Sequence, residues 1–211
     1  MTIELVTTDG IFALDGGEWE VTNNIWLIGD EREVVVVDAA HDATPIVEAV
    51  NGRRVAAIAL THGHNDHINA AVALQDAVDA PILLHPDDRM FWHDVYPDRA
   101  PDGDLAEGDA VRGGGAELGV LHTPGHSPGG CCFVLDAGGH AFSGDTLFCG
   151  GPGATGRSHS DQPTILRSIR SRLLALPPET IVHTGHGEST TVGAEAPLID
   201  ELQREAGTAS S

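Results

Sequence analysis

Lysine is absent from this 211-residue sequence: all eleven basic residues are Arg, set against 32 Asp and Glu. The formal net charge of −21 repels nucleic acid and anionic membranes, so neither is expected as a partner. Any anionic part of a substrate must then be met by Arg, a backbone amide or a metal ion. Cysteine is scarce and odd in number, Cys131, Cys132 and Cys149, which leaves no complete disulfide framework. Cys131 and Cys132 point to opposite faces if they share a strand, and free thiols suit a reducing compartment. No apolar run approaches the length of about 18 residues that a membrane helix takes. The opening MTIELVTTDG has neither a basic start nor an apolar stretch, so no export signal is read and a cytoplasmic location is expected.

What is present is an alternation of strand and helix patterns. IFALD and NIWLIGD read as early strands, and EVVVVDAA as a near-continuous apolar strand ending at Asp38. A helix over residues 43–50 and the strand VAAIAL, residues 55–60, follow. A further helix is expected to open at Asp66, with Ile68, Ala71, Leu74 and Val78 as its apolar stripe, before the strand PILLH. Residues 97–117, rich in Pro, Gly and Asp, read as an irregular connection within one fold. LGVLH, CCFVLD and HAFSGD resume the strands, Pro163 opens a helix carrying Ile165, Ile169 and Leu173, and TIVHTG precedes a closing helix over residues 194–206. The expectation is one α/β domain over residues 1–211 made of two similar αβ halves, about 1–100 and 101–211, their sheets packed together with helices outside.

Chemistry gathers where these strands end. THGHNDH supplies His62, His64, Asp66 and His67 after one strand; TPGHSPGG supplies His126, FSGD supplies Asp145 and TGHG supplies His186 after three others. One catalytic divalent ion takes about three protein ligands and keeps a position open for water. Five His and two Asp are too many for one ion and suit two, with one carboxylate shared. Alternate side chains of His-x-His grip one ion, Asp66 and His67 turn toward a second, and the isolated Asp145 is the natural bridge. Such a pair, about 3.5–4 Å apart, can hold a shared hydroxide whose parent water has a pKa near 7.

The motifs VVVVDAA, THGHNDH, HTPGHSPGG, FSGDTLF and TGHG, in this order over residues from about 20 to 195, resemble the metallo-β-lactamase superfamily and within it the glyoxalase II-like thioester hydrolases. The resemblance implies a four-layer αβ/βα sandwich, two mixed sheets face to face with helices outside. It places His62, His64 and His126 on one metal and Asp66, His67 and His186 on another, with Asp145 between them. Asp66 also orients the hydroxide, and Asp38 supports the ligand loop without binding metal. Zinc is the first expectation for the two ions, with iron or manganese as alternatives.

The sequence also departs from that pattern. Only 25 residues follow His186, Thr184 stands where Pro is usual, and FCGGPGATGRSHSD exceeds the common glycine-rich loop. Substrate contacts are sought at Arg157, His159 and Cys149. The other histidines, and Trp19, Trp26 and Trp92, read as packing or hydrogen-bonded residues. The implied activity is hydrolysis of a thioester of a small thiol, whether glutathione, mycothiol or another. The alternatives are a mononuclear Fe(II) enzyme oxidising a persulfide with O₂ and a lactonase on the same scaffold. The substrate is a small molecule in each case.

Overall fold

The computed structural model describes residues 1–135 and 139–208. The first sheet has six strands in chain order: β1 (Thr2–Leu14), β2 (Gly17–Gly29), β3 (Glu33–Val37), β4 (Arg54–Ala59), β5 (Ile82–Leu84) and β6 (Gly103–Asp104). β1, β2 and β3 pair antiparallel, and β3 to β6 run parallel. The second sheet is built from β7 (Ala110–Gly113), β8 (Ala116–His122), β9 (Cys131–Leu135), β10 (His140–Gly144), β13 (Ile181–Thr184) and β14 (Thr190–Thr191). Its order is β14-β13-β10-β9-β8-β7, and β11 (Leu147–Phe148) and β12 (Gly151–Pro152) form a small separate ribbon. Helices α1 (Ala43–Val50), α2 (Asn65–Ile68), α3 (Ala71–Val78) and α4 (Arg89–Val95) belong to the first half; α5 (Gln162–Ser168) and α6 (Val192–Thr208) belong to the second.

Strand alternation decides the layers. Val34 and Val36 face outward to Ile46 of α1 and Leu74 of α3, while Val35 and Val37 face Leu118, Phe133 and Phe142 of the second sheet. Cys131 joins that central layer, and Cys132 turns the other way to Ile165, Ile169 and Ile199. Three cores therefore separate four layers, helix–sheet–sheet–helix, the expected sandwich. Among the described residues no helix is long and apolar enough to cross a membrane.

Four local expectations change. The first two strands extend to 13 residues each and form one hairpin, in which Asp15 and Gly16 both take positive φ (54° and 77°), the twist that a two-residue hairpin turn needs. The helix expected from Asp66 is split into α2 and α3. Its backbone is diverted: Ala39 N donates to His67 O, and Ala70 N donates to Ala39 O. Asp66 lies inside α2 rather than capping it. Part of the Gly- and Asp-rich stretch 97–117 forms β6 and β7, short edge strands where such residues are tolerated. Asp136, the last residue of CCFVLD, lies outside the described residues.

His183 on β13 packs against Trp26 and Phe142 at ring-centroid distances of 4.4 and 4.9 Å, with its Nε2 2.9 Å from His140 Nδ1. Burial, then the nearby His140, pushes its pKa from 6.5 down to about 4. The unfolded chain protonates first on acidification. The contribution of a neutral His183 is therefore complete above pH 6.5 and is lost as pH falls from there through about 4. In denaturant titrations His183→Gln is expected to lose less unfolding free energy than wild type between about pH 7.5 and about pH 5. Equal losses in the two proteins would contradict this.

Candidate metal centre

Four strand ends deliver the chemical groups to one edge of the sandwich. The turn after β4 and the start of α2 carry His62, His64, Asp66 and His67; His126 follows β8, Asp145 follows β10 and His186 follows β13. Loops on a rigid scaffold are the usual place for such residues. His62 Nε2 and His126 Nε2 lie 3.1 and 3.0 Å from His64 Nδ1. A second group forms beside them: His67 Nε2 and His186 Nε2 are 3.3 Å apart, and Asp66 Oδ2 is 3.7 and 3.4 Å from these two atoms. Asp145 lies between the groups, with Oδ2 3.5 Å from both His126 Nε2 and His186 Nε2 and Oδ1 3.3 Å from His67 Nε2.

The other imidazole nitrogens are occupied, which fixes the tautomers. His126 Nδ1 donates to Ala154 O and His186 Nδ1 to Thr22 O, both at 2.8 Å. His67 Nδ1 donates to Asp38 Oδ2 at 2.8 Å. Thr61 Oγ1 gives its proton to Asp38 Oδ2, so it accepts from His62 Nδ1 at 3.1 Å. The inward nitrogens of His62, His67, His126 and His186 are thereby turned toward the shared space. His64 differs: its Nδ1 points inward, while its Nε2 has no hydrogen-bond partner and its ring lies against Phe12 and Phe91.

Electrostatics separates the two groups. Burial holds His62 well below the ordinary imidazole range, and burial with the adjoining His126 lowers His64 to about 3. Burial opposes a charge on His67 too, but Asp145, Asp66 and Asp38 outweigh it and raise its pKa well above 6.5. His186 is likewise raised to about 10, burial being overcome by Asp145 and by hydrogen bonds to Asp145 and Asp66. Burial thus disfavours charge on His62 and His64, whereas His67 and His186 hold positive charge among carboxylates. The donor set fits cations: a single proton between imidazole nitrogens 3.0–3.1 Å apart satisfies one pair at a time, whereas one ion satisfies all three.

Beside this cluster lies a cavity of about 390 Å³. Phe12 and Trp19 of the hairpin, Phe148 and Ala154 line it together with Asp66, His126, Asp145 and His186. Arg157 also lines it, its guanidinium 4.0 Å from the Trp19 ring centre and 4.8 Å from that of Phe12. Asp15 in the hairpin turn accepts from Ser158 N, tying the turn to the glycine-rich loop. Cys149 and His159 are exposed and do not line the cavity; the His159 ring contacts Phe91 instead. Trp26 and Trp92 are buried, as read from the sequence, but Trp19 belongs to the cavity wall. Asn23, also not singled out from the sequence, places Nδ2 3.2 Å from Asp66 Oδ2 and Oδ1 2.8 Å from His41 Nε2. Its signal is faint, because nothing local marks one Asn of VTNN as central.

His85, Asp87 and His122 form another group of ligand-type side chains. The two rings are stacked at 4.1 Å with 11° between their planes, and His122 Nε2 donates to Pro128 O. Parallel rings aim lone pairs side by side rather than at one point, so this group lacks the convergence of the larger cluster.

Residues 19–186 match the family described as the metallo-beta-lactamase superfamily. The chain is 32% identical over 186 residues to hydroxyacylglutathione hydrolase GloC of Haemophilus influenzae, covering 81% of this chain and 87% of that protein. Among solved structures, BLEG-1 B3 metallo-beta-lactamase superposes with a TM-score of 0.77 at 29% identity, over 90% of this chain and 97% of that one. TTHA1623 in a di-iron-bound form gives a TM-score of 0.75 at 35% identity, over 83% and 93%.

Asp38 generates a direct test. It takes φ of 65°, is buried, and accepts from Thr61 N, Thr61 Oγ1 and His67 Nδ1. Asn tolerates that backbone and matches the shape, but an amide replaces one carboxylate oxygen with a donor facing donors. Asp38→Asn is expected to weaken divalent-metal binding by about 10- to 100-fold in a chelator-competition titration. Unchanged affinity would contradict the role given to this contact.

Proposed function

Because the chain belongs to the metallo-β-lactamase superfamily, we propose that it is a dinuclear metal-dependent hydrolase that cleaves a thioester of a small thiol. The observation that carries the reading is the seating of Asp145, whose one carboxylate faces ligand nitrogens of both triads. His62, His64 and His126 would hold one cation, Asp66, His67 and His186 the other, and Asp145 would touch both. When bound, such a pair polarises a carbonyl and lowers the pKa of water to about 7. Zinc is the first choice, and the di-iron form of TTHA1623 keeps iron in view.

The chain's own residues would do the rest. Asp66, fixed by Asn23, orients the attacking oxygen as it binds its cation. Phe12, Trp19 and Phe148 exclude water and pack the apolar part of the substrate. Arg157, on the wall of a cavity in a chain without lysine, meets a negative charge on the acyl or thiol portion. A thiolate leaves readily, so no dedicated acid has to protonate it. Likeness to the hydroxyacylglutathione hydrolase GloC, at 32% identity, supports the thioester class, though the thiol can differ from glutathione. The net charge of −21 and the concave apolar site support a small-molecule substrate rather than nucleic acid or a membrane, and a cytoplasmic setting completes the reading.

Metal analysis joined to a panel of thioesters, lactones and persulfides tests this. The expected result is about two equivalents of metal with thioester cleavage and no oxygen uptake. One equivalent of iron with persulfide-dependent oxygen uptake would establish the mononuclear alternative instead. Asp145→Ala is expected to lose one metal and most hydrolysis while its circular dichroism is preserved. Full activity in that variant would remove the bridging role.

A further inference from the structure

Asp88 is fully buried yet touches neither an imidazole nor the cavity wall. It ends the single 3₁₀ turn Pro86–Asp88 after β5, in the first sheet's half of the chain. Its Oδ2 accepts from Gly63 N at 2.8 Å and from Ser127 Oγ at 2.7 Å, and its Oδ1 accepts from Gly129 N at 2.6 Å. Gly63 lies between His62 and His64, and Ser127 follows His126. One carboxylate thus holds the residue adjoining each ligand of the first triad and joins loops that leave different sheets.

The fit is close on both sides. A Cβ on Gly63 would lie 2.8 Å from Asp88 O, and one on Gly129 would lie 2.8 Å from Asp88 Cγ. Both loops therefore approach Asp88 at distances that only glycine allows. A buried carboxylate without its donors carries a large desolvation cost, so the bonds and the charge stand or fall together. Asp38 serves the second triad differently, by bonding the His67 ring itself. The seven-ligand cluster thus has two buried aspartate supports: Asp88 at the first group, and Asp38 at His67 and, through Thr61, at His62.

We infer that Asp88 is a positioning residue that sets the spacing of the loops bearing His62, His64 and His126, and through it the affinity of that metal position. The inference rests on the two-cation reading above. Asp88 reaches no substrate and no metal; it acts only through the main chain at Gly63 and Gly129 and the hydroxyl of Ser127.

The test is cobalt(II) titration of metal-free wild type, Asp88→Asn and Ser127→Ala, followed by visible absorption. Occupancy at the two positions is read by anomalous scattering from crystals equilibrated with graded cobalt(II). Asp88→Asn is expected to weaken the His62–His64–His126 position by about 10- to 100-fold and to alter its absorption bands, with the other position unchanged. Ser127→Ala removes one of the three bonds and is expected to weaken the same position by a smaller factor. Wild-type affinity there, or equal weakening at both positions, overturns the inference. Should Asp88→Asn fail to fold, Ser127→Ala decides by the same criterion. Wild type that takes up no cobalt(II) ends the two-cation reading itself, whereas wild type with two cobalt ions matched by both variants ends only the role of Asp88.

Discussion

His62 Nε2 and His126 Nε2 approach His64 Nδ1 to 3.1 and 3.0 Å, an arrangement that protons alone leave incomplete. Lone pairs brought that close repel unless something positive lies among them. Next to them, Asp66 and Asp145 face His67 and His186, with Asp66 and His67 buried and the other two partly so. The first group calls for a compact positive charge, and Asp145 of the second lies 3.5 Å from its His126. The sandwich and the buried aspartates hold these atoms at such distances.

Holding them still falls to the strands. Three separate cores lock the two sheets and their helices, and the ligand loops leave from strand ends inside that frame. In the loops themselves polar anchors supplement packing. Asp38, in a left-handed backbone conformation, ties Thr61 to the His67 ring. Asp88 ties the Gly63 turn to the Ser127 turn. Buried carboxylates gather at the site, while β3, β4, β8 and β9 around it are ordinary apolar strands.

The seven ligand-type side chains were legible because four of them fall within six consecutive positions and each of the others follows an apolar strand. Layer order was legible for a similar local reason: EVVVV and CCFVL alternate faces residue by residue. What escaped depends on partners distant in sequence. Asp88 meets Gly63 and Ser127 from 25 and 39 positions away, and HPDDR alone marks neither bond. Trp19 joins the cavity only because the hairpin folds back over the edge of the sandwich. The break between α2 and α3 comes from backbone bonds to Ala39, which no helical pattern in the segment encodes. Arg157, sought on the variable loop as a substrate contact, lines the cavity, whereas its neighbour His159 lies against Phe91.

An anomalous difference map, recorded at the absorption edge of the metal that copurifies with the chain, tests the central claim most directly. Two peaks about 3.5–4 Å apart are expected, one among His62, His64 and His126 and one among Asp66, His67 and His186, with Asp145 in contact with both. A single peak, or a cluster whose ligand atoms spread apart around ordered water, would contradict the account.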